Sequence, residues 1–577
     1  MTSRRLAWAL ALATVPAVSV AAQEVPSRAP SRRPVVACAG QPIHDIVIYS
    51  DAPTVANLAR FPRLAAIARA LHATTRAELI RRFLLLERGD PCSELRRAES
   101  ERILRAQPFI AEAEAFVVAS EGDSVDIEVR TSDEAAIVFG GGVRAATPHL
   151  ISLLVGNANV AGQGLYSSLS WRDGRGFRDA LAVRLIDYQF IGHPWILALE
   201  GERASLGGSW RVEAAHPFLT DLQRVAWRVR AGRSNGYVEL RQPDGVRPNV
   251  ALQRGFFDVG GIVRVGNPGR LNLFGLSLTG LDERPGNRLT LPESGTVRDV
   301  GAVPTPFVSH RIVRANVLSG VRDITFARLE GLDALTAAQD VPIGFQLGTL
   351  LGRSIPVAGE REDEDIFIAG DLYVGATTGI STSRLQLQAE GRRPLGRRAW
   401  DGVVATGRLT HYLRFTPRHR NQMGLEFSGA SRQRTPFQLL LGVPEGGVRG
   451  YEESYYAGGQ RLVARTEERY TLGNVLGVAD AGFALFGDVG RQWAGDVPFG
   501  VTTSTKASLG VSLLAAIPPR SARVWRADLA FPLTGGANAR WTLSFTNADR
   551  TAFVFRNARD VAEGREITVP SSIFAWP

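Results

Sequence analysis

Apolar and polar side chains alternate with a period of two from residue 135 to residue 547, and no helical pattern interrupts them. In "RVAWRVRAG", Val225, Trp227, Val229 and Ala231 share one face, and Arg224, Arg228 and Arg230 take the other. In "RLQLQAEGR", Leu385, Leu387 and Ala389 oppose Arg384, Gln386, Gln388 and Glu390; in "RWTLSFT", Trp541, Leu543 and Phe545 oppose Thr542, Ser544 and Thr546. Period two is the signature of a strand with two unlike faces. A strand of ~9–11 residues spans a bilayer when its apolar face meets lipid and its polar face a lumen. A soluble β-sandwich alternates in the same way. The arginine-rich polar faces and the unbroken run of strands favour a transmembrane barrel, an all-β membrane fold. A generous reading finds between sixteen and twenty strand candidates in 136–547. Alternation alone does not settle the number.

The rest of the chain fits export. Residues 1–22 carry Arg4 and Arg5, an apolar stretch and Val20-Ala21-Ala22, the pattern of a secretory signal peptide. The alternative, an uncleaved anchor helix, is disfavoured because the apolar run is shorter than the ~20 residues of a span. No later run is long enough for a membrane helix, and mean hydropathy is −0.03 with 60 glycines. The net charge of +10 comes from 67 Lys and Arg, mostly Arg. In an exported chain such a balance points to pore lining or lipid phosphates rather than nucleic acid. Cys38 and Cys92 are the two cysteines. Spacing does not prove that they pair, and two buried thiols are the alternative, but an oxidising compartment permits a disulfide, which we expect.

Residues 23–38 read as a Pro/Arg/Ser linker and 39–134 as a small α/β unit in the order strand, helix, helix, strand, strand. Thr75 to Glu78 reads as a capping box opening a helix that stops near Gly89. Asp90-Pro91 offers an N-cap and first-turn proline for a second helix ending near Gln107-Pro108. Val125, Ile127 and Val129 alternate with Asp126, Glu128 and Arg130, as in a half-buried strand. The stretch 50–74 reads as a helical insertion.

Near the C-terminus, "LGVPEGGVRGYEESYYAGG" (441–459) is a glycine-rich loop with Arg449 in its middle. Five strand-like segments follow it, at 459–470, 480–490, 505–514, 523–532 and 540–547. In the second, Ala484, Phe486 and Asp488 share the lumenal phase; in the first, Arg461, Arg465, Glu467 and Arg469 share a face. A loop folded inward brings Arg449 to Asp488, with Glu467 as the second candidate. Arginine engages a carboxylate in bidentate fashion, and flanking glycines let the backbone turn close to the wall.

"GGVRGY" (446–451) resembles the V-R-G-F/Y motif of the BamA/TamA superfamily of outer-membrane assembly barrels, which includes the two-partner-secretion transporters and bacterial surface antigens. "FGD" (486–488) resembles its F-x-D strand motif, "EER" (467–469) its E-x-R segment and "RADLAFPL" (526–533) its penultimate strand. "NVAGQG" (159–164) resembles its N-x-x-G-x-G, and 39–134 a single POTRA domain. The resemblance implies a sixteen-stranded barrel at 135–547, preceded by one periplasmic POTRA domain, with the Arg449 loop as the sixth extracellular loop and the surplus strand candidates before it as hairpin tips or extracellular embellishments. It implies that Gly447, Val448, Arg449, Gly450, Tyr451, Phe486, Asp488 and Glu467 form a loop anchor. The tail, 548–577, departs from the family pattern, in which the chain ends on the last strand: either the last strand lies elsewhere, or the tail folds into the lumen or the periplasm.

The expected function is insertion or translocation of polypeptides in the cell outer membrane, with the POTRA domain capturing client strands by β-augmentation. The glycines Gly140, Gly141 and Gly142 weaken the first barrel strand and mark a seam, or make room for lumenal packing. Expected partners are the bilayer and its lipopolysaccharide, unfolded outer-membrane or secreted clients, and periplasmic accessory proteins, with no nucleic acid. The alternative is a passive pore or structural surface antigen without clients. No spacing suggests an enzyme, a metal or a cofactor, and His72, His193 and His411 read as ordinary surface, turn and strand residues.

Overall fold

The computed structural model describes residues 33–566 except 53–72, 145–148, 175–177, 294–295, 357–363, 443–445, 452–455, 535–540 and 548–557. The expected signal peptide at 1–22, most of the expected helical insertion at 50–74 with His72, and part of the tail lie outside the described residues.

The N-terminal unit comprises β1 (Ala39–Asp51), α1 (Ala77–Arg81), β2 (Pro91–Ser93), α2 (Glu94–Ala106), β3 (Ile110–Ala119) and β4 (Val125–Asp133). The sheet order is β2-β1-β4-β3, with β1 parallel to β4 and β3 antiparallel to it. Parallel pairing requires a crossover, which α1 and α2 supply. Ile43, Ile80, Phe83, Leu104, Ile127 and Val129 bury the core between helices and sheet.

Three local expectations are corrected here. No capping box forms: α1 has five residues and its N-cap is Arg76. The Thr75 hydroxyl instead accepts from Asn159 Nδ2 at 2.7 Å. The second helix is capped at Ser93 rather than Asp90, because Pro91–Ser93 pairs with β1 as a short strand. β4 is buried on both faces, not one: Asp126 and Glu128 are covered by Arg33 of the incoming segment.

Twenty antiparallel strands close into a barrel, in place of the sixteen that the family resemblance implied. The first, Ile137–Arg144, meets the last, Thr542–Asn547. Thr296–Ala302 is a spur on the long strand Arg270–Glu293, which itself pairs with His310–Glu330 to complete the wall. Five strands follow the Arg449 loop, Gln460–Val475 through Thr542–Asn547, and fifteen precede it. The loop is therefore the eighth at its end of the barrel, not the sixth. The additional strands are wall strands, not hairpin tips; alternation reads a tip and a wall strand alike.

The end of the barrel that carries the N-terminal unit is called the near end below, and the other the far end. Along Arg270–Glu293 the outer face shows Phe274, Leu276 and Leu278, exposed, while Leu273, Ser277 and Thr279 are buried inside. Along His310–Glu330, Val317 and Val321 face out; Arg314, Asn316 and Arg322 face in. An apolar exterior around an ionic interior is unfavourable in water and favourable in a bilayer. The fold is a transmembrane β-barrel. Among the described residues no helix is long and apolar enough to cross a membrane.

The N-terminal unit is docked on the near rim. Arg105 makes a bidentate pair with Asp340 (2.9 Å, twice), and Arg102 donates to the Leu219 carbonyl at 2.7 Å. On the last near-end turn, the Ser521 hydroxyl donates to Glu134 at 2.6 Å and Arg520 to Glu112 at 2.8 Å. The near-end turn 331–337 reaches across the bore: Leu335 packs on Ala484, Leu514, Ala516 and Val524. Arg469 donates to the Leu332 carbonyl at 2.9 Å.

Candidate functional site

The Arg449 loop folds into the lumen from the far end. Val448 is buried beside Leu441, Tyr451 and Val463, and its N–H donates to the Leu441 carbonyl at 2.8 Å. Gly490 on the wall makes that seat: a Cβ there would lie 2.4 Å from Val448 Cγ2. Gly450 adopts φ +89°, which favours glycine, and turns the chain so that the buried Tyr451 hydroxyl reaches the Thr534 carbonyl. The Gly447 carbonyl accepts from Arg465 Nη2 at 2.7 Å.

Arg449 meets Asp488 through three donors. Nη2 lies 2.7 Å from Oδ1, Nε 2.8 Å from Oδ2, and its backbone N–H 3.1 Å from Oδ2. Nη1 reaches Glu467 at 3.2 Å. The guanidinium lies 3.5 Å from the centre of the Phe486 ring, a cation–π contact. Asp488 is wholly buried. Glu467 also accepts from Arg469 at 2.6 Å and Arg526 at 2.9 Å, so two carboxylates and three arginines form one network. The strands Gln460–Val475 and Ala479–Trp493 set this geometry, because Arg465 stands opposite Asp488 and Glu467 opposite Phe486 in their register.

The seam lies elsewhere. Among the described residues, Ile137–Arg144 and Thr542–Asn547 share one registered pair, Gly141 with Phe545. The other neighbours of these two strands pair over six and eight positions. Cβ atoms added to Gly140 or Gly141 would meet nothing nearer than 3.8 Å and 3.4 Å. Those glycines do not make room for tight lumenal packing. Cys38 and Cys92 are joined, with Cα atoms 5.3 Å apart. His193 stacks on Trp195 in a turn, and His411 bonds Ser383 on a strand. Among the described residues no group of His, Cys, Asp and Glu could hold a metal ion.

One arrangement escaped the sequence reading. The turns Asn159–Gly164 and Gln189–His193 are built alike. In each, a non-glycine residue takes positive φ (Ala161 and Ile191) and a glycine follows (Gly162 and Gly192). Asn159 holds Thr75 and the Gly164 N–H; Gln189 donates to the Leu79 carbonyl at 2.7 Å. Both turns clamp the N-terminal unit, and "NVAGQG" was their visible half. The C-terminal tail takes the lumenal alternative: its helix α3 (Arg559–Gly564) lies in the lumen against Phe437 and Leu439.

No family model matches the chain, and no curated protein matches it. Among solved structures, CdiB from Escherichia coli is similar over 91% of this chain and 92% of that one, at 11% identity and a TM-score of 0.44. CdiB from Acinetobacter baumannii is similar over 88% and 74%, at 10% identity and TM-score 0.38. BamA from Haemophilus ducreyi lacking POTRA domains 1–3 is similar over 88% and 84%, at 12% identity and TM-score 0.35. The likeness is one of general outline. The membrane-barrel assignment rests on the apolar exterior and the ionic lumen.

Proposed function

We propose that the protein is an outer-membrane barrel that inserts or translocates polypeptides, with the N-terminal unit as a POTRA-like module in the periplasm. The single observation that carries the reading is the seam. A closed barrel gains from pairing every backbone N–H and C=O, since lipid offers them no partner. A junction with one registered pair is the wall's weakest line, and it supplies strand edges to which a client strand can add. The outer edge of β3 offers a second such surface. It pairs with residues 34–36 through Val36 N–H to the Val117 carbonyl (2.9 Å) and Ala119 N–H to the Pro34 carbonyl (3.2 Å). A captured client strand extends that pairing or replaces it. The inward loop anchored by Arg449 braces the wall strands that precede the seam. A passive pore is less well supported, because the turn 331–337 crosses the bore at the near end and the Arg449 loop fills it at the far end.

The test is to lock the seam with Gly141→Cys and Phe545→Cys and to measure folding of a second barrel protein, and export of a secreted one, in proteoliposomes. Oxidation is expected to abolish the activity, and reductant to restore it. The parent with and without reductant controls for the Cys38–Cys92 bond. A locked protein that works as well as the parent would refute the seam, and a parent without any client activity would favour the passive pore.

A further inference from the structure

We infer that the lumen wall carries a receptor for acidic polypeptide segments, built from Arg461, Arg314 and Arg392 and filled at rest by the chain's own tail. The identity of its natural occupant as a client rests on the protein-handling reading; the site itself does not.

The last barrel strand ends at Asn547 at the near end, whereas Ala558 already lies in the far half of the lumen among Phe437, Leu439 and Val404. Two carboxylates six residues apart hold the tail. Asp560 accepts from Arg461 Nη1 at 2.5 Å and from the Leu440 N–H at 2.9 Å. Glu566 is bonded to Arg314 and lies 3.2 Å from Arg392 Nη1. Its backbone N–H donates to Glu390 at 2.7 Å, and Arg565 donates to Gln388 at 2.7 Å. Arg461, Arg314 and Arg392 are all buried. Four different strands supply the wall residues Arg314, Gln388, Glu390, Arg392, Arg461 and Asp365, the last a second partner for Arg314.

The manner of holding separates this segment from the wall. The hydrogen bonds that tie residues 560–566 to the barrel each use at least one side chain, and among the described residues no backbone ladder pairs this segment with a wall strand. The apolar anchor is small, Ala558 and Val561. Two glycines admit it closely: a Cβ on Gly446 would lie 2.5 Å from Ala558 Cβ, and a Cβ on Gly564 2.2 Å from the Phe437 ring. Buried guanidinium groups stripped of carboxylates are strongly unfavourable. The tail is therefore not released into an empty lumen, but it exchanges readily for another segment bearing carboxylates at similar spacing. Through Gly446 the same segment touches the Arg449 loop, so occupancy of the receptor is felt at the anchor.

A tethered tail competes at millimolar effective concentration, which masks the site in the parent. The test therefore uses the full-length Asp560→Asn/Glu566→Gln variant and a labelled peptide of residues 559–566, in detergent and without any client. The peptide is expected to bind the variant at least tenfold more tightly than the parent. The same peptide carrying Asp560→Asn and Glu566→Gln is expected to bind neither, and adding Arg461→Gln to the variant to weaken binding at least tenfold. Equal binding to variant and parent, or of the native and the Asp560→Asn/Glu566→Gln peptide, would overturn the receptor. If the variant does not fold, a spin label at Ala562→Cys in the otherwise native chain reports instead, since both native cysteines are joined. Millimolar native peptide should then mobilise the label and the Asp560→Asn/Glu566→Gln peptide should not; an unmoved label overturns the proposal. A failed seam-lock experiment leaves this result standing, and the reverse holds.

Discussion

Removing Arg449 tests the anchor most directly. Arg449→Ala deletes both side-chain bonds to Asp488, the contact to Glu467 and the stacking on Phe486, while Asp488 keeps the 449 backbone N–H. A wholly buried carboxylate that loses its guanidinium costs roughly 3–5 kcal/mol. The lost cation–π contact adds about 1–2 kcal/mol. Asp488→Ala is expected to cost less, on the order of 2–3 kcal/mol, because Arg449 retains Glu467 at 3.2 Å. Once Arg449 is gone, Asp488 is a stranded carboxylate and little is lost with it, so the double variant should exceed Arg449→Ala by under ~1 kcal/mol, a coupling of about 2 kcal/mol. Loop cleavage follows the population of the open form when reclosing is fast. At 1.4 kcal/mol per decade, a loss of ~4 kcal/mol, the low end of this sum, raises the cleavage rate within 432–459 about a thousandfold. Limited proteolysis of the four proteins of the cycle in detergent measures this. Additive effects, or an Arg449→Ala protein cleaved like the parent, would refute the argument.

Replacing both Cys38 and Cys92 by serine should destabilise the N-terminal unit by roughly 2–4 kcal/mol, read by chemical denaturation, and mass spectrometry of the unreduced protein should find no alkylatable thiol. Burial pushes the Asp133 carboxyl up to about 7, against the Thr75 hydrogen bonds and with Glu134 and Asp51 adding to the rise. Its folded pKa lies above the unfolded value, so its contribution is full below about 3.8 and is lost as pH rises through about 7. The unit should thus be more stable at pH 5 than at pH 8 by on the order of 2 kcal/mol. Asp133→Asn should flatten that slope in thermal melts; an unchanged slope would assign the effect to another group. Asn159→Ala leaves Thr75 and the Gly164 N–H without their buried partner and should cost about 1–3 kcal/mol of docking. Hydrogen exchange at residues 75–82 should rise accordingly.

Period two along the chain set the faces of Val225–Ala231 and Leu385–Ala389 and the inward phase of Asp488 without reference to any neighbour, because side-chain direction in a strand is a local property. Arginine between glycines, upstream of an inward aspartate, was likewise legible as a candidate pair. Tertiary structure alone decided the rest. Twenty strands rather than sixteen is a closure condition on the whole sheet, and no single strand encodes it. Thr75 carries a capping-box signature, yet its hydroxyl serves Asn159, since docking on the barrel outweighs a local cap. Leu335 looks like an ordinary turn residue until Ala484 and Val524 arrive from across the bore. Nothing in the sequence around Asp560 and Glu566 names their partners. The two carboxylates acquire meaning only in the lumen, where they meet Arg461, Arg314 and Arg392, because a charge buried in a wall of low polarity is defined by the partner that neutralises it.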